Sequence, residues 1–279
     1  MASEMIEKDL YGGKHHVVHN PNAKGPQPRY LVDDEVKKGV TTIIGEVLAK
    51  DLLGWALDSF EEALLATPVE VRGVDPRVYV IHTPETIKEA KGASARKRDS
   101  GGSTGTEVHA MVEKFLKGED VEMEKPMENV DAYNAFTAFV KWFGEVKPKV
   151  LNVEEVVYSD QYEYAGTYDC MLEIEGKVYL CDLKTSNSSK KGPNGVYAEN
   201  FIQLGAYALA HEEERKFDRG SKLPRIDGLM VISAKKDGKL DIVTNEDVGM
   251  GVRECSRLFK SVLRLFYNMR DISTKLGSK

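Results

Sequence analysis

From about residue 150 the apolar residues stop recurring at helical spacing and begin to alternate with polar ones. This change of period constrains the fold more than any other feature of the chain. Val150 to Ser159, Ala165 to Glu175 and Lys177 to Thr185 each alternate, which predicts three successive strands. Glu175-Gly176 supplies a tight hairpin turn between the last two. Upstream the spacing is helical. A helix is predicted from Thr41 or Thr42 (the N-cap candidates, with Glu46 as a loose capping-box partner) to about Ala66. A polar helix follows over Pro84 to Arg98, then a loop signal at Ser100-Gly-Gly-Ser103, a helix from Thr104 or Thr106 to about Lys117, and another over Pro126 to Phe143. Downstream come a helix over Tyr197 to Glu213, a hairpin of Asp227 to Ala234 with Leu240 to Val243, and a closing amphipathic helix over Asp247 to Leu276. Tyr30 to Val32 reads as a short strand. This order predicts a mixed α/β fold, a central sheet with a helical N-terminal region around it. Residues 1–28 are polar and rich in Gly, Pro and His, and read as a flexible arm in which His15-His16 is solvated. The expected divisions are the arm at 1–28, a helical part at 29–148 and a core at 149–279, with 29–279 one compact domain.

Composition removes several classes. The 279 residues suffice for a core without disulfide staples. Lys plus Arg number 39 against 45 Asp plus Glu, and the net charge of -6 argues against a protein that coats nucleic acid by bulk charge. No apolar run approaches the roughly 18 residues of a membrane span, and Met1 to Leu10 lacks the apolar stretch of a secretory signal. Cys170, Cys181 and Cys255 read as reduced, buried thiols of a cytoplasm-like compartment. Without a CxxC, a four-cysteine zinc ribbon or iron–sulfur cluster is excluded.

Gly166-Thr-Tyr-Asp169 and Asp182-Leu-Lys184-Thr-Ser186 carry the chemistry. Side chains alternate along a strand, so Asp182 and Lys184 share a face, and the hairpin brings Asp169 beside them. Two carboxylates and an ammonium at one end of a sheet suit a hard cation such as Mg²⁺ or Mn²⁺. Such an ion activates water and neutralises charge on a phosphodiester, and a nearby lysine orients the attacking water. A bare D-x-K on a strand is otherwise an ordinary surface pair.

These elements resemble those of the PD-(D/E)XK nuclease superfamily, and within it the RecB-type exonucleases, which include phage, CRISPR-adaptation and mitochondrial genome maintenance exonucleases. Gly105-Thr-Glu-Val-His109 with Glu113 resembles the group's histidine helix. Glu154 opens a strand, Gly166-Thr-Tyr-Asp169 and Asp182-Leu-Lys184 resemble its two acidic motifs, and Gln203-Leu-Gly-Ala-Tyr207 its following helix. The likeness covers about residues 104 to 210. Tyr168 stands where the superfamily's name has proline, and the second acid is Asp rather than Glu. The resemblance implies a restriction-endonuclease-like fold and a Mg²⁺- or Mn²⁺-dependent deoxyribonuclease of the type without an iron–sulfur cluster.

It further implies roles. His109, Asp169, Asp182 and the backbone carbonyl of Leu183 would bind metal. Lys184 would position or activate water. Glu154 rather than Glu155 would face the site, and Gln203 and Tyr207 would contact the lysine or the DNA backbone. For DNA contacts the candidates are Arg96, Lys97 and Arg98, then Thr185, Ser186, Lys190 and Lys191, with Tyr162 and Tyr164 as stacking candidates. The expected substrate is single-stranded DNA or DNA with free ends, the setting phage recombination, replication or repair in the (host) cytoplasm, alongside a recombination or replication partner protein and away from membranes. A duplex or structure-specific endonuclease and a non-catalytic DNA-binding subunit are the alternatives.

Overall fold

A computed structural model describes residues 5–24, 27–48, 53–66, 70–71, 80–121, 129–186, 196–217 and 221–277. In chain order the elements are β1 (Ile6–Leu10), β2 (His15–His19), β3 (Tyr30–Val32), β4 (Glu35–Gly39), α1 (Val40–Val47), α2 (Leu53–Ala66), β5 (Glu70–Val71), β6 (Val80–Ile81), α3 (Pro84–Lys91), α4 (Ala93–Lys117), α5 (Val130–Val146), β7 (Lys149–Ser159), β8 (Tyr164–Ile174), β9 (Lys177–Ser186), α6 (Ala198–Phe217), β10 (Gly228–Lys235), β11 (Leu240–Thr244) and α7 (Val252–Lys275). They divide into two units, residues 1–49 with 108–279, and residues 50–107. The smaller unit holds α2, the β5–β6 pair, α3 and the start of α4.

The larger unit is a mixed α/β structure built on a nine-stranded sheet in the order β1-β2-β3-β4-β8-β9-β10-β11, with β7 pairing β8. β7, β8 and β9 form an antiparallel meander. Glu175 (φ 51°) and Gly176 (φ 78°) both take the left-handed conformation that a two-residue hairpin turn with the sheet's twist requires. β10 is parallel to β9, so the chain must cross over, and α6 is the crossover. One face of the sheet is covered by α1, α6 and α7, through Ile43, Phe201, Leu204, Phe259 and Phe266. The other is covered by the end of α4 and by α5, through Val108, Val112, Phe136 and Phe139 against Leu172, Leu183 and Ile232. Each buried side chain of this size contributes about 1.5–3 kcal/mol.

The strand β8 changes partner midway. Cys170 to Ile174 pair with β9, whereas Tyr164 and Ala165 pair with Lys38 and Gly39 of β4. Among the described residues no strand pairs the Gly166–Asp169 stretch on that side, and the sheet forks there.

Several sequence expectations are corrected. Residues 6–19 are not a flexible arm but a hairpin in the main sheet. Leu10, Tyr11 and Val17 are buried against Val156, Tyr158 and Ala165, a third apolar cluster that a solvated tail lacks. Lys8 pairs with Glu155 of β7, and His15 is buried, 2.7 Å from Asp33. The part expected to be helical at 29–148 includes β3 and β4, because residues 30–39 extend the same ladder. The helix expected over 41–66 is two. α1 starts behind Gly39, which is extended (φ -77°, ψ 145°) and replaces Thr41 and Thr42 as N-cap, and it ends where Leu48 leaves the helical region. The Ser100–Ser103 loop signal is overridden: α4 runs through it, and Thr106 Oγ1 donates back to the Gly102 carbonyl at 3.0 Å. α7 begins at Val252, where Glu254 accepts a hydrogen bond from the Gly251 N–H at 2.8 Å. The expected helix start at Pro126 lies outside the described residues.

Candidate metal and phosphodiester site

The fork positions the site. Beyond the Cys170–Cys181 pair the two strands part, and the Leu183 N–H, with no β8 carbonyl opposite, donates to Asp169 Oδ2 at 2.5 Å. From the helix-covered side α4 brings His109, whose Nδ1 lies 3.4 Å from Asp169 Oδ1. From the neighbouring strand comes Glu154. Its backbone is left-handed (φ 50°), uncommon for a residue other than Gly, Asn or Asp. One ligating atom from each of His109, Glu154 and Asp169 falls within 4.8 Å of the others. Glu155 turns away to Lys8 and Asn152. Glu113, expected beside His109, lines the same hollow and holds Lys117 at 2.6 Å.

On the α6 side of the fork a second group forms. Asp182, almost fully buried, lies between Lys184, with Nζ 2.9 Å from Oδ1 and 2.7 Å from Oδ2, and Gln203, whose Nε2 is 3.0 Å from Oδ1. The same Gln203 Nε2 lies 3.0 Å from the Tyr207 hydroxyl. Asp182 Oδ2 is buried with no hydrogen bond of good geometry, the 2.7 Å approach of Lys184 being a charge contact.

The ionisations follow from this crowding. Burial disfavours the His109 imidazolium, but the Asp169 carboxylate overcomes it and holds the pKa up at about 9. Burial also opposes the Asp169 carboxylate, and His109, Lys184 and the Leu183 N–H outweigh it, so its pKa is lowered. Glu154 is pushed up to about 8 by burial, then by Asp169 and Glu113. Asp182 rises to about 6 through burial and the Asp169 charge, against the pull of Lys184. Lys184 is held above its ordinary value: burial works against its charge, but Asp182 and Asp169 more than compensate. It is an ammonium, suited to orienting water and offsetting negative charge rather than to acting as a base.

One imidazole and two carboxylates make a donor set compatible with a divalent cation, hard oxygens with a single nitrogen. Asp182 Oδ2 beside the fork adds a further oxygen, in charge contact with Lys184 Nζ at 2.7 Å but without a hydrogen bond of good geometry among the described residues. The sequence list of ligands differs in one respect: Glu154 rather than Asp182 completes the close triad with His109 and Asp169. That would have required the β7–β8 register, which sets Val153 against Cys170 and Glu155 against Tyr168, leaving Glu154 opposite Asp169.

The remaining candidates are placed as follows. The Thr185 hydroxyl is buried and has no hydrogen bond among the described residues, and Ser186 Oγ lies 3.1 Å from Ser233 Oγ at the end of β9. Tyr164 is a core residue and not a stacking platform, its hydroxyl on the Ala206 carbonyl at 2.7 Å and its ring edge-on to Phe259. Tyr162 is half-buried, with Lys260 6.0 Å over its ring. Arg96 is exposed and donates to the Glu89 carbonyl at 2.7 Å. The side chains of Lys97 and Arg98, and all of Lys190 and Lys191, lie outside the described residues. Sequence reasoning missed Thr167, two residues before Asp169, whose Oγ1 lies 3.2 Å from both the Tyr30 hydroxyl and His19 Nδ1. His19 and Tyr30 stack with centroids 4.7 Å apart. No local signal marks this trio, because β2 and β3 sit in a stretch with the composition of a tail.

No family model and no curated protein matches the chain. Among solved structures, a provisionally assigned exonuclease from Eubacterium rectale aligns at 13% identity and a TM-score of 0.30, covering 58% of this chain and 68% of that one. The protein SSO0001 aligns at 14% identity and a TM-score of 0.26, covering 47% of this chain, which thus spans only 56% of that protein. Likenesses this weak carry no argument about fold or activity.

Proposed function

We propose that the chain is a Mg²⁺- or Mn²⁺-dependent deoxyribonuclease with a restriction-endonuclease-like core, acting as an exonuclease on single-stranded or free DNA ends. The observation that carries this is the pairing, across one fork, of the His109–Glu154–Asp169 triad with the Asp182–Lys184 ion pair. His109, Glu154 and Asp169 would hold the cation, with Asp182 Oδ2 and the Leu183 carbonyl as further donors. When bound, the ion supplies Lewis-acid polarisation of the scissile phosphodiester. Lys184 aligns water for in-line attack and offsets the charge that develops on phosphate oxygens. Gln203 and Tyr207 hold Asp182, and through it the ammonium. Thr185, Ser186 and the basic segments at Arg96–Arg98 and Lys190–Lys191 are the proposed DNA contacts, in a recombination, replication or repair setting.

The test is an end-labelled linear single strand, a linear duplex and a closed circle, each with Mn²⁺ or EDTA. Mn²⁺-dependent shortening of the linear strands with the circle intact is expected. Removing a group from the metal site removes several kcal/mol of transition-state stabilisation, so Asp182→Ala should lower the rate about a thousandfold. Cleavage unchanged in that variant would refute the site. Cutting of the circle indicates an endonuclease, and silence on every substrate a binding subunit.

A further inference from the structure

Gly166 needs no glycine for its backbone, since it is not among the glycines with positive φ. It needs one for space. A Cβ there would come within 2.9 Å of Tyr207 Cδ1, closer still to Cε1, and 3.1 Å from a Val40 methyl. α6 cannot back away. On its opposite side a Cβ on Gly205 would meet the Cys255 carbonyl oxygen at 2.6 Å and the Ser256 nitrogen at 2.7 Å, and Ser256 Oγ donates to the Gly205 carbonyl at 2.8 Å. The helix is thus seated between β8 and the first turn of α7 by two glycines, with the Cδ1–Cε1 edge of the Tyr207 ring against the bare backbone of Gly166.

From Tyr207 a line of contacts runs to the reactive lysine: its hydroxyl to Gln203 Nε2 at 3.0 Å, Gln203 Nε2 to Asp182 Oδ1 at 3.0 Å, and Asp182 Oδ2 to Lys184 Nζ at 2.7 Å. We infer that Gly166 is a positioning residue for Lys184: its missing side chain admits the Tyr207 ring, and that ring sets the line Tyr207–Gln203–Asp182–Lys184. The inference rests on the nuclease reading of the site. It separates two functions within the Gly166–Asp169 motif: Asp169 belongs to the cation triad, and Gly166 to the placing of the ammonium.

The experiment is a double-mutant cycle of Gly166→Ala and Tyr207→Phe, read as kcat, KM for labelled single-stranded DNA and Mn²⁺ affinity by calorimetry. A misplacement on the order of 1 Å costs about a hundredfold in rate. Gly166→Ala should therefore lower kcat about a hundredfold at saturating Mn²⁺ while KM stays within about threefold, the Mn²⁺ affinity of each variant fixing the saturating concentration. Tyr207→Phe should lower kcat in the wild-type background and add nothing to Gly166→Ala, whose displaced ring has already lost Gln203. Additive losses, a kcat restored by excess Mn²⁺, or near-normal kcat in Gly166→Ala would overturn the inference. If Gly166→Ala does not fold, Gly166→Ala/Tyr207→Leu carries the test. Relieved of the ring, it should recover a cooperative melt without recovering cleavage, and failure to melt cooperatively would equally overturn it. A wild-type protein that cleaves nothing defeats the nuclease reading instead, a result distinct from all of these.

Discussion

At the site, individual side chains hold protons that a cation must displace. With His109 near 9 and Glu154 near 8, both are protonated at pH 7, and neither is then a ligand. Raising the pH through these values removes the competing protons. Mn²⁺ affinity should therefore increase from pH 6.5 to 8.5, by up to about tenfold per pH unit for each proton displaced. Titration calorimetry in buffers of different ionisation enthalpy would count those protons. Glu154→Gln should flatten the dependence by one proton. An affinity independent of pH in the wild-type protein would show that these two groups are not ligands.

Among the elements, the β1–β2 hairpin is the one whose role changed most between sequence and structure. Leu10 is fully buried and packs under β7 and β8. Leu10→Ala should cost about 2–5 kcal/mol in urea unfolding; a substitution in a solvated arm would cost nothing measurable. The hairpin was illegible because its pattern, His-His-Val-Val-His flanked by Gly and Pro, is short, and its burial comes from residues nearly 150 positions away, Val156 to Ala165. The β7–β8–β9 meander and α6 were legible for the opposite reason: long runs of constant period and a Glu-Gly turn are local signals. The acids and lysine of the site were likewise readable from face alternation on β8 and β9. Alternation could not show that β8 forks away from β9 at Cys170, which makes Asp169 a partner of His109 and Glu154 while Asp182 looks towards α6.

For the molecule as a whole, a net charge of -6 sets a condition on the DNA binding that the proposed function requires. On the proposed reading a phosphate approaches the Glu113, Glu154 and Asp169 carboxyls, and once Glu154 ionises above about pH 8 their charge is offset only when a cation occupies the hollow. Affinity for a single-stranded oligonucleotide should be at least about tenfold higher, ~1.4 kcal/mol, in Ca²⁺ than in EDTA, measured by fluorescence anisotropy at fixed ionic strength. Equal affinities would locate DNA binding away from the triad. Among the described residues no helix is long and apolar enough to cross a membrane.

The fork leaves one further mark. The Leu183 amide proton is held by a carboxylate rather than by a neighbouring strand's carbonyl, at 2.5 Å. Short bonds to an ionised acceptor are the strong ones, so in a proton–nitrogen correlation spectrum this resonance should lie far downfield of its strand neighbours. Its position would follow the charge on Asp169, moving upfield as a bound cation draws on the carboxylate or as Asp169→Asn removes it. A single backbone peak would thus report whether the site is loaded.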